Sequence, residues 1–567
     1  MRDRVMWSDT VIDTLIRQGV SYFIISPGSR STPLTLAAAR HPDATTVIAY
    51  DERGAAYHAV GYARATARPA VLICTSGTAA ANYLPAVTEA SNDALPLIAL
   101  TADRPPEQHN VGANQTMDQQ NLYGGFVRTF INLPPQDPSR PDSTPRDAVL
   151  TALDSSLGPV PGPVHINCMF REPFELTAPD ASDNAQHPTA NAQHPTGKQE
   201  CPLPDLAAVA SAIAQAERGM IVAGALATPA EQDAVAVLAE ALGWPLWADI
   251  RSGLHNRAPF TAQTAALRDL LLSPGPDAVR GPDCILHVGG NVVSKPLLDY
   301  FTTTYSGSYL KLPGTTQPVD PTGRCSLVVA GDVPTLCSEL MAPAASLTPS
   351  ALVGDGTHAL QALQARLEVV AQPDAALSEP AIGYWLAQHL SDAVGLVLGN
   401  SMPVRFVDRF AVHQQLPARV VANRGVSGID GTIATAVGYA AGLGRPVVCL
   451  LGDLTLMHDM SSLTQLSDAP HPIIFIVVNN RGGGIFHHLP VAEATDVFEP
   501  FFTTPHAYTF EALARQFALA YRIVETNGAF VEALQAAIAG GEHALLELSV
   551  DQAANMAVYH AMAGRHE

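Results

Sequence analysis

Apolar positions along this chain fall in short unbroken runs rather than in strict alternation, and most runs stop at a turn built from glycine, serine or proline. Val20-Ser-Tyr-Phe-Ile-Ile25 precedes Ser26-Pro-Gly-Ser-Arg-Ser-Thr-Pro33 and an Ala/Leu-rich helical stretch. Thr46-Val-Ile-Ala-Tyr50 precedes Asp51-Glu-Arg-Gly54 and a helix through Arg64, and Ala70-Val-Leu-Ile-Cys-Thr75 precedes Ser76-Gly-Thr-Ala79. Strand, turn and helix in repetition predict a parallel, doubly wound sheet, whose strands are apolar throughout because helices cover both faces.

The pattern dissolves over 179–204 into Pro, Asn, Gln and His, with Asn-Ala-Gln-His-Pro-Thr at 184–189 and again at 191–196. This is expected to be a low-complexity linker; its His187 and His194 are a weak basis for metal binding. It resumes with Met220-Ile-Val-Ala223 and Cys284-Ile-Leu-His-Val288, pauses at Met341-Ala-Pro-Ala-Ala-Ser-Leu-Thr-Pro349, and continues with Gly395-Leu-Val-Leu398, Val420-Val-Ala422, Val447-Val-Cys-Leu-Leu451 and Ile473-Ile-Phe-Ile-Val-Val478. The expected fold class is therefore α/β, with three doubly wound domains over 1–178, 205–345 and 346–567.

Composition narrows the partners. The chain has 567 residues, 47% apolar and 15% charged, which suits a folded multidomain protein. Its 32 Lys+Arg against 53 Asp+Glu leave −21, a field that repels nucleic acid and anionic lipid. A site for a small anion must then be assembled locally from a few cationic side chains and helix N-termini. Seven cysteines without a C-x-x-C spacing read as reduced, buried thiols. No apolar stretch approaches the ~20 residues of a membrane span and no secretory leader opens the chain, so a cytoplasmic location is expected.

One constellation carries chemistry on its own. The apolar run 447–451 delivers Gly452-Asp-Leu-Thr455, and the next delivers Asn479-Asn-Arg-Gly-Gly-Gly484. Either tetrad alone is ordinary turn chemistry. Closing neighbouring parallel strands, however, they set Asp453, the Asn480 amide oxygen and a backbone carbonyl, taken as that of Gly482, side by side. These are hard oxygen ligands that leave octahedral positions for a diphosphate, a Mg²⁺ clamp with Mn²⁺ as the alternative ion.

The pair resembles the cofactor motif of thiamine-diphosphate enzymes, which begins Gly-Asp and ends Asn-Asn; where that motif has a third glycine this chain has Leu454. The wider set narrows the family: Ser26-Pro-Gly-Ser-Arg-Ser-Thr-Pro-Leu34, Cys74-Thr-Ser-Gly-Thr-Ala-Ala-Ala-Asn82, Thr101-Ala-Asp-Arg-Pro-Pro-Glu107, Gly112-Ala-Asn-Gln115 and Asn423-Arg-Gly-Val-Ser-Gly-Ile-Asp-Gly431. Together they resemble the 2-succinyl-5-enolpyruvyl-6-hydroxy-3-cyclohexene-1-carboxylate synthases of menaquinone biosynthesis, closely in the first and third domains and loosely in the middle one. Acetolactate synthases share the cofactor words but not Ser-Pro-Gly-Ser-Arg or Ala-Asp-Arg-Pro-Pro-Glu.

The resemblance implies that 2-oxoglutarate is decarboxylated on thiamine diphosphate and that the carbanion adds in a 1,4 sense to isochorismate. By the same resemblance Glu52 serves the aminopyrimidine ring, and Gly77, Asn82, Ile429, Gly452, Asp453, Leu454, Thr455 and Asn480 hold the cofactor. Ser29, Arg30, Arg104, Asn114 and Gln115 are implied on the isochorismate side, with Arg30 and Gln115 also catalytic. Ser401, catalytic Arg405 and Arg424 are implied at the distal carboxylate of 2-oxoglutarate, Lys295 by a looser match, and Ile485 and Phe486 as an apolar wall. Guanidinium groups suit dianionic substrates because each pairs with a carboxylate through two bonds. No histidine base is required, although His58, His458, His487 and His488 lie near the motifs. Glu52 and Asp453 meet at one cofactor between subunits in this superfamily, implying a homodimer or a dimer of dimers. A carboligase or decarboxylase acting on another 2-oxo acid is the competing enzyme reading, and a silent module is disfavoured by the intact Glu52, Asp453 and Asn480.

Overall fold

The computed structural model describes residues 6–137, 139–172, 174, 206–272, 281–314, 320–344, 349, 350, 352–412 and 419–562. The linker expected at 179–204, its two histidines, Cys201 and the three expected domain boundaries lie outside these residues.

Three wholly parallel sheets are present. The first comprises β1 (Tyr22–Ile25), β2 (Thr45–Ile48), β3 (Val71–Cys74), β4 (Leu97–Asp103), β5 (Phe130–Leu133) and β6 (Pro163–Met169), in the order β2-β1-β3-β4-β6-β5. The second comprises β7 (Gly219–Ala223), β8 (Leu246–Ala248), β9 (Cys284–Val288), β10 (Ser308–Leu312) and β11 (Leu327–Val328), in the order β11-β10-β9-β7-β8. The third comprises β12 (Gly395–Leu398), β13 (Val420–Val421), β14 (Val447–Gly452), β15 (Ile473–Asn479), β16 (Ala520–Val524) and β17 (Ala544–Ser549), in the order β13-β12-β14-β15-β17-β16. The first and third sheets thus repeat one topology, and in each the strand order reverses beside the first strand, where a crevice opens at the carboxyl ends.

The apolar runs are explained by burial on two faces. In β1, Tyr22 and Ile24 join one core with Ala55, Ala59 and Val60, while Phe23 and Ile25 join another with Leu15, Leu34 and Leu153. β14 does the same, Val448 and Leu450 on one side and Val447, Cys449 and Leu451 on the other. The described cysteines are free thiols, buried except for half-buried Cys325. No helix among the described residues is long and apolar enough to cross a membrane.

The first and third sheets are joined by the helices Glu52–Thr66 and Thr432–Leu443, which approach backbone to backbone. A Cβ at Gly61 would stand 2.1 Å from the Thr435 carbonyl oxygen, and one at Gly438 1.9 Å from that of His58, so glycine alone fits both positions. Arg53 and Asp51 extend this seam: Arg53 Nη2 donates to the His458 carbonyl (2.9 Å) and Ser461 Oγ to Asp51 Oδ2 (2.8 Å).

Candidate active site

Chemistry-bearing residues gather at the carboxyl ends of the first and third sheets. β14 runs through Gly452 straight into the helix Asp453–Asp459, so Asp453 opens a helix, where the dipole favours an acid. Asp453 is only 2% exposed. Its Oδ1 accepts from the Leu454 amide (2.6 Å), and its Oδ2 from the Gly482 amide (3.0 Å) and lies 3.2 Å from His506 Nε2. Burial raises the Asp453 carboxyl above the ordinary aspartate value, and the amides of Leu454 and Gly482 and the nearby His506 pull it back.

One end of the Asn480 amide lies 3.3 Å from Asp453 Oδ2 and 2.8 Å from the Gly482 carbonyl oxygen. When Asn480 Nδ2 donates to Gln552 Oε1 (3.1 Å), its oxygen faces those two oxygens, an arrangement that repels itself unless a cation sits among them. Turned the other way, the Asn480 amide donates to both oxygens instead; with its oxygen turned toward them, the three oxygens fit a hard divalent ion. Among the described residues no group of three or more His, Cys, Asp or Glu offers an alternative. The glycine loop has its shape because Gly482 adopts φ +147°, with a Cβ there only 2.3 Å from the Thr503 carbonyl oxygen. Ile485 and Phe486 follow it half-buried, the Phe486 ring 5.5 Å edge-on from Phe502.

Beyond β12 a second group forms. Asn400 Nδ2 donates to the carbonyls of Asn423 and Gly428 (both 2.6 Å), and its Oδ1 accepts from Arg424 Nη1 (2.9 Å). Arg405, in the helix Met402–Phe410, donates to the Ser401 carbonyl, and Ser401 holds φ +67° at the helix start. Burial, then the charges of Arg251 and Arg405, push Arg424 down to about 10. Three guanidiniums share this corner, the locally built cationic site that the acidic composition requires. The loop itself is pinned from the first domain: Glu89 Oε1 and Oε2 accept from the Gly425 (2.8 Å) and Val426 (2.7 Å) amides, and Arg64 bridges Glu89 (2.7 Å) and Asp93 (2.7 Å). Ile429 is half-buried in this loop, next to Asp430, which accepts from the Tyr57 hydroxyl (2.7 Å).

The first sheet supplies the third group. Arg30 is buried, its Nη1 donating to the Phe170 carbonyl (2.9 Å), its Nη2 to Glu172 Oε1 (2.8 Å), and its guanidinium 5.2 Å above the Phe174 ring. Burial, then nearby Arg104, lower its pKa. Arg104 Nε and the Gln115 amide both reach Ser76, at Oγ (3.4 Å) and carbonyl (3.1 Å) respectively, and Gly77 donates to Gln119 Oε1 (2.9 Å). Ser29, Asn82, Asn114 and Gln115 are exposed around this group. Glu52 is half-buried at the first position of its helix. The Cys74 thiol and Tyr83 hydroxyl, raised first by burial, also feel its charge.

One expected residue is tied instead to its own helix. Lys295 is exposed and ion-paired with Asp299 (2.6 Å) along its own helix. Glu52 precedes Arg53, whose Nη2 donates to the His458 carbonyl in the helix that Asp453 begins. Conversely, Arg251, Gln119, Gln552 and His506 escaped the sequence reading: each lies outside the quoted motifs and meets its partners only through the fold.

Residues 6–122 match the family described as thiamine pyrophosphate enzyme, N-terminal TPP binding domain; 199–396 match the middle domain of thiamine pyrophosphate; and 402–548 match the C-terminal TPP binding domain. A solved structure titled as a putative thiamin diphosphate-dependent enzyme from Mycobacterium smegmatis superposes with a TM-score of 0.68 at 19% identity, covering 97% of this chain and 100% of that one. Three curated proteins, each named 2-succinyl-5-enolpyruvyl-6-hydroxy-3-cyclohexene-1-carboxylate synthase, are similar over nearly their whole length. That of Rubrobacter xylanophilus is 42% identical over 98% of this chain and 97% of its own. That of Salinibacter ruber is 39% identical (98% and 95%), and that of Chlorobaculum tepidum 37% (99% and 97%). With that identity across all three domains, and with the Asp453, Asn480 and Gly482 oxygens drawn together, the chain belongs to the 2-succinyl-5-enolpyruvyl-6-hydroxy-3-cyclohexene-1-carboxylate synthase family of thiamine-diphosphate enzymes.

Proposed function

We propose the following assignment of roles for a thiamine-diphosphate-dependent transferase that decarboxylates 2-oxoglutarate and adds the remaining four-carbon unit in a 1,4 sense to isochorismate, in menaquinone biosynthesis. The observation that carries it is the pairing, at equivalent ends of two sheets of one topology, of an oxygen cluster fit for a divalent ion with guanidinium groups fit for dianions.

When bound, thiamine diphosphate supplies the electron sink that decarboxylation of a 2-oxo acid needs. Asp453, Asn480 and the Gly482 carbonyl would hold Mg²⁺, or Mn²⁺ in its place, which would anchor the diphosphate, with Gly452, Leu454 and Thr455 at that end. Gly77 and Asn82 would hold the pyrimidine end of the cofactor and Ile429 its middle, and Glu52 would hold a proton at its carboxylate toward the ring. Ser401, Arg405 and Arg424 receive the distal carboxylate of 2-oxoglutarate. Ser29, Arg30, Arg104, Asn114 and Gln115 orient isochorismate, and Lys295 guards the rim by exchanging Asp299 for a substrate carboxylate. Ile485 and Phe486 would exclude water from the site, shielding reactive groups there from protonation by solvent. A homodimer, or a dimer of such dimers, is the working unit, with the first sheet of one chain facing the third sheet of the other across the cofactor, in the cytoplasm.

Incubating the protein with thiamine diphosphate, Mg²⁺ and 2-oxoglutarate, with and without isochorismate, tests the reading. The expected result is rapid 2-oxoglutarate consumption only when isochorismate is present, with one adduct formed per CO₂ released. Equal consumption without isochorismate, or a preference for pyruvate, favours a different 2-oxo acid enzyme.

A further inference from the structure

The segment from Glu499 to Tyr508 wraps the glycine loop, and its grip is chiefly backbone. The Gly483 amide donates to the Thr503 carbonyl (2.7 Å), the His506 amide to the Arg481 carbonyl (3.3 Å), and Asn479 Nδ2 to the Tyr508 carbonyl (3.0 Å). Asn479 is in turn fixed by Glu547, itself buried (2.8 Å). Near the end of this strap His506 is 7% exposed, stacked on the Tyr508 ring at 5.3 Å, with Nε2 3.2 Å from Asp453 Oδ2.

The ring's two nitrogens have different tasks. The Tyr508 amide donates to Nδ1 (3.2 Å), which occupies that lone pair and places the proton of the neutral imidazole on Nε2. His506 is therefore a hydrogen-bond donor to Asp453, not a free lone pair available to a metal. Together with the Leu454 amide at Oδ1 and the Gly482 amide at Oδ2, it leaves the carboxylate no freedom to turn.

We infer that His506 is a positioning residue for the divalent-ion site, holding the Asp453 carboxylate in the plane from which it meets the ion. The inference rests on the proposed role of Asp453 as ion ligand. Partners of this kind, one bond removed from the ion, characteristically change metal affinity about 10- to 100-fold when lost. The segment also ties Phe502 to Phe486, so the same strap that orients the ion ligand braces the apolar wall.

The test uses the full chain with thiamine diphosphate held constant, titrated with Mg²⁺ and followed by calorimetric cofactor binding, not activity alone. His506→Gln keeps an N–H donor at the same reach; His506→Leu fills similar space without one. The expected result is a Mg²⁺ requirement raised about 10- to 100-fold in His506→Leu and near native in His506→Gln, with unchanged melting of both chains free of metal and cofactor. Equal Mg²⁺ requirements in the two variants, whether both native or both raised, overturn the inference, because a space-filling ring is replaced equally well by leucine. If His506→Leu does not fold, His506→Asn, whose amide is one methylene too short, takes its place under the same comparison. Asp453→Ala separates the two levels: if it retains Mg²⁺-dependent cofactor binding, the reading of the ion site fails; if it loses that binding while His506→Leu does not, only the role of His506 fails.

Discussion

A carboxylate that tunes a proton on a bound ring must not be spent on a stronger partner, and Glu52 meets that condition. Its neighbours Asp51 and Arg53 are tied to Ser461 and His458, and Glu89, Glu107 and Glu172 are tied to Arg64, Arg171 and Arg30, whereas among the described residues Glu52 has neither hydrogen bond nor ion pair. Glu52→Gln is accordingly expected to leave folding and thiamine-diphosphate affinity near native while lowering turnover by about 10²- to 10⁴-fold, read by calorimetry and by an adduct assay side by side. Turnover within a few-fold of native removes Glu52 from the role. At this scale the adjacency of Asp453, Asn480 and Gly482 was legible because Asp453 and Asn480 each follow an apolar strand, so that spacing alone predicts that they meet. His506, Gln119 and Arg251 were not, because a loop residue's partner depends on how the chain returns, which no local pattern encodes.

Among elements, apolar runs that stop at a turn were the readable strands, edge strands β2 and β13 included, while interior β4, β6, β10 and β17 were not singled out. β1, β3, β9, β12, β14 and β15 lie within a residue or two of their expected spans, since burial on both faces writes an unbroken apolar run. The edge strand β16 is exposed along most of its length and carries Arg522, and no apolar run announces it. The loop between β13 and the helix Thr432–Leu443 was legible as a motif, but its anchor was not: Glu89, fully buried on a first-domain helix, receives the Gly425 and Val426 amides and so sets where Arg424 stands. Burial, then Asp93, raises the Glu89 carboxyl, and Arg64 pulls it down. Glu89→Gln leaves Arg64 its bond to Asp93 but meets one of the two loop amides with an NH₂ group instead of an acceptor. The variant is expected to lose about 1 to 3 kcal/mol of stability in denaturant titration and to raise the KM for 2-oxoglutarate several-fold more than that for isochorismate. Equal changes in the two constants place the clamp outside the 2-oxoglutarate side.

For the whole molecule, the repeated topology of the first and third sheets poses a geometric question that one chain does not answer. In the proposed reading each sheet offers one half of a cofactor site at its carboxyl edge, and the seam of Gly61 and Gly438 fixes how the two domains of one chain meet. If, as proposed, a two-fold partner brings each first sheet to the other chain's third sheet, the arrangement makes a prediction that a single-chain site does not share. Glu52→Gln and Asp453→Ala chains are each inactive alone. Unfolded together and refolded as an equal mixture, half of the dimers are mixed, and each mixed dimer has one site with both defects and one with neither. Recovery of about a quarter of native activity is therefore expected if sites form between chains. If Glu52 and Asp453 of the same chain serve one cofactor, every site in the mixture carries a defect, and activity stays at the level of the separate variants however the chains are combined.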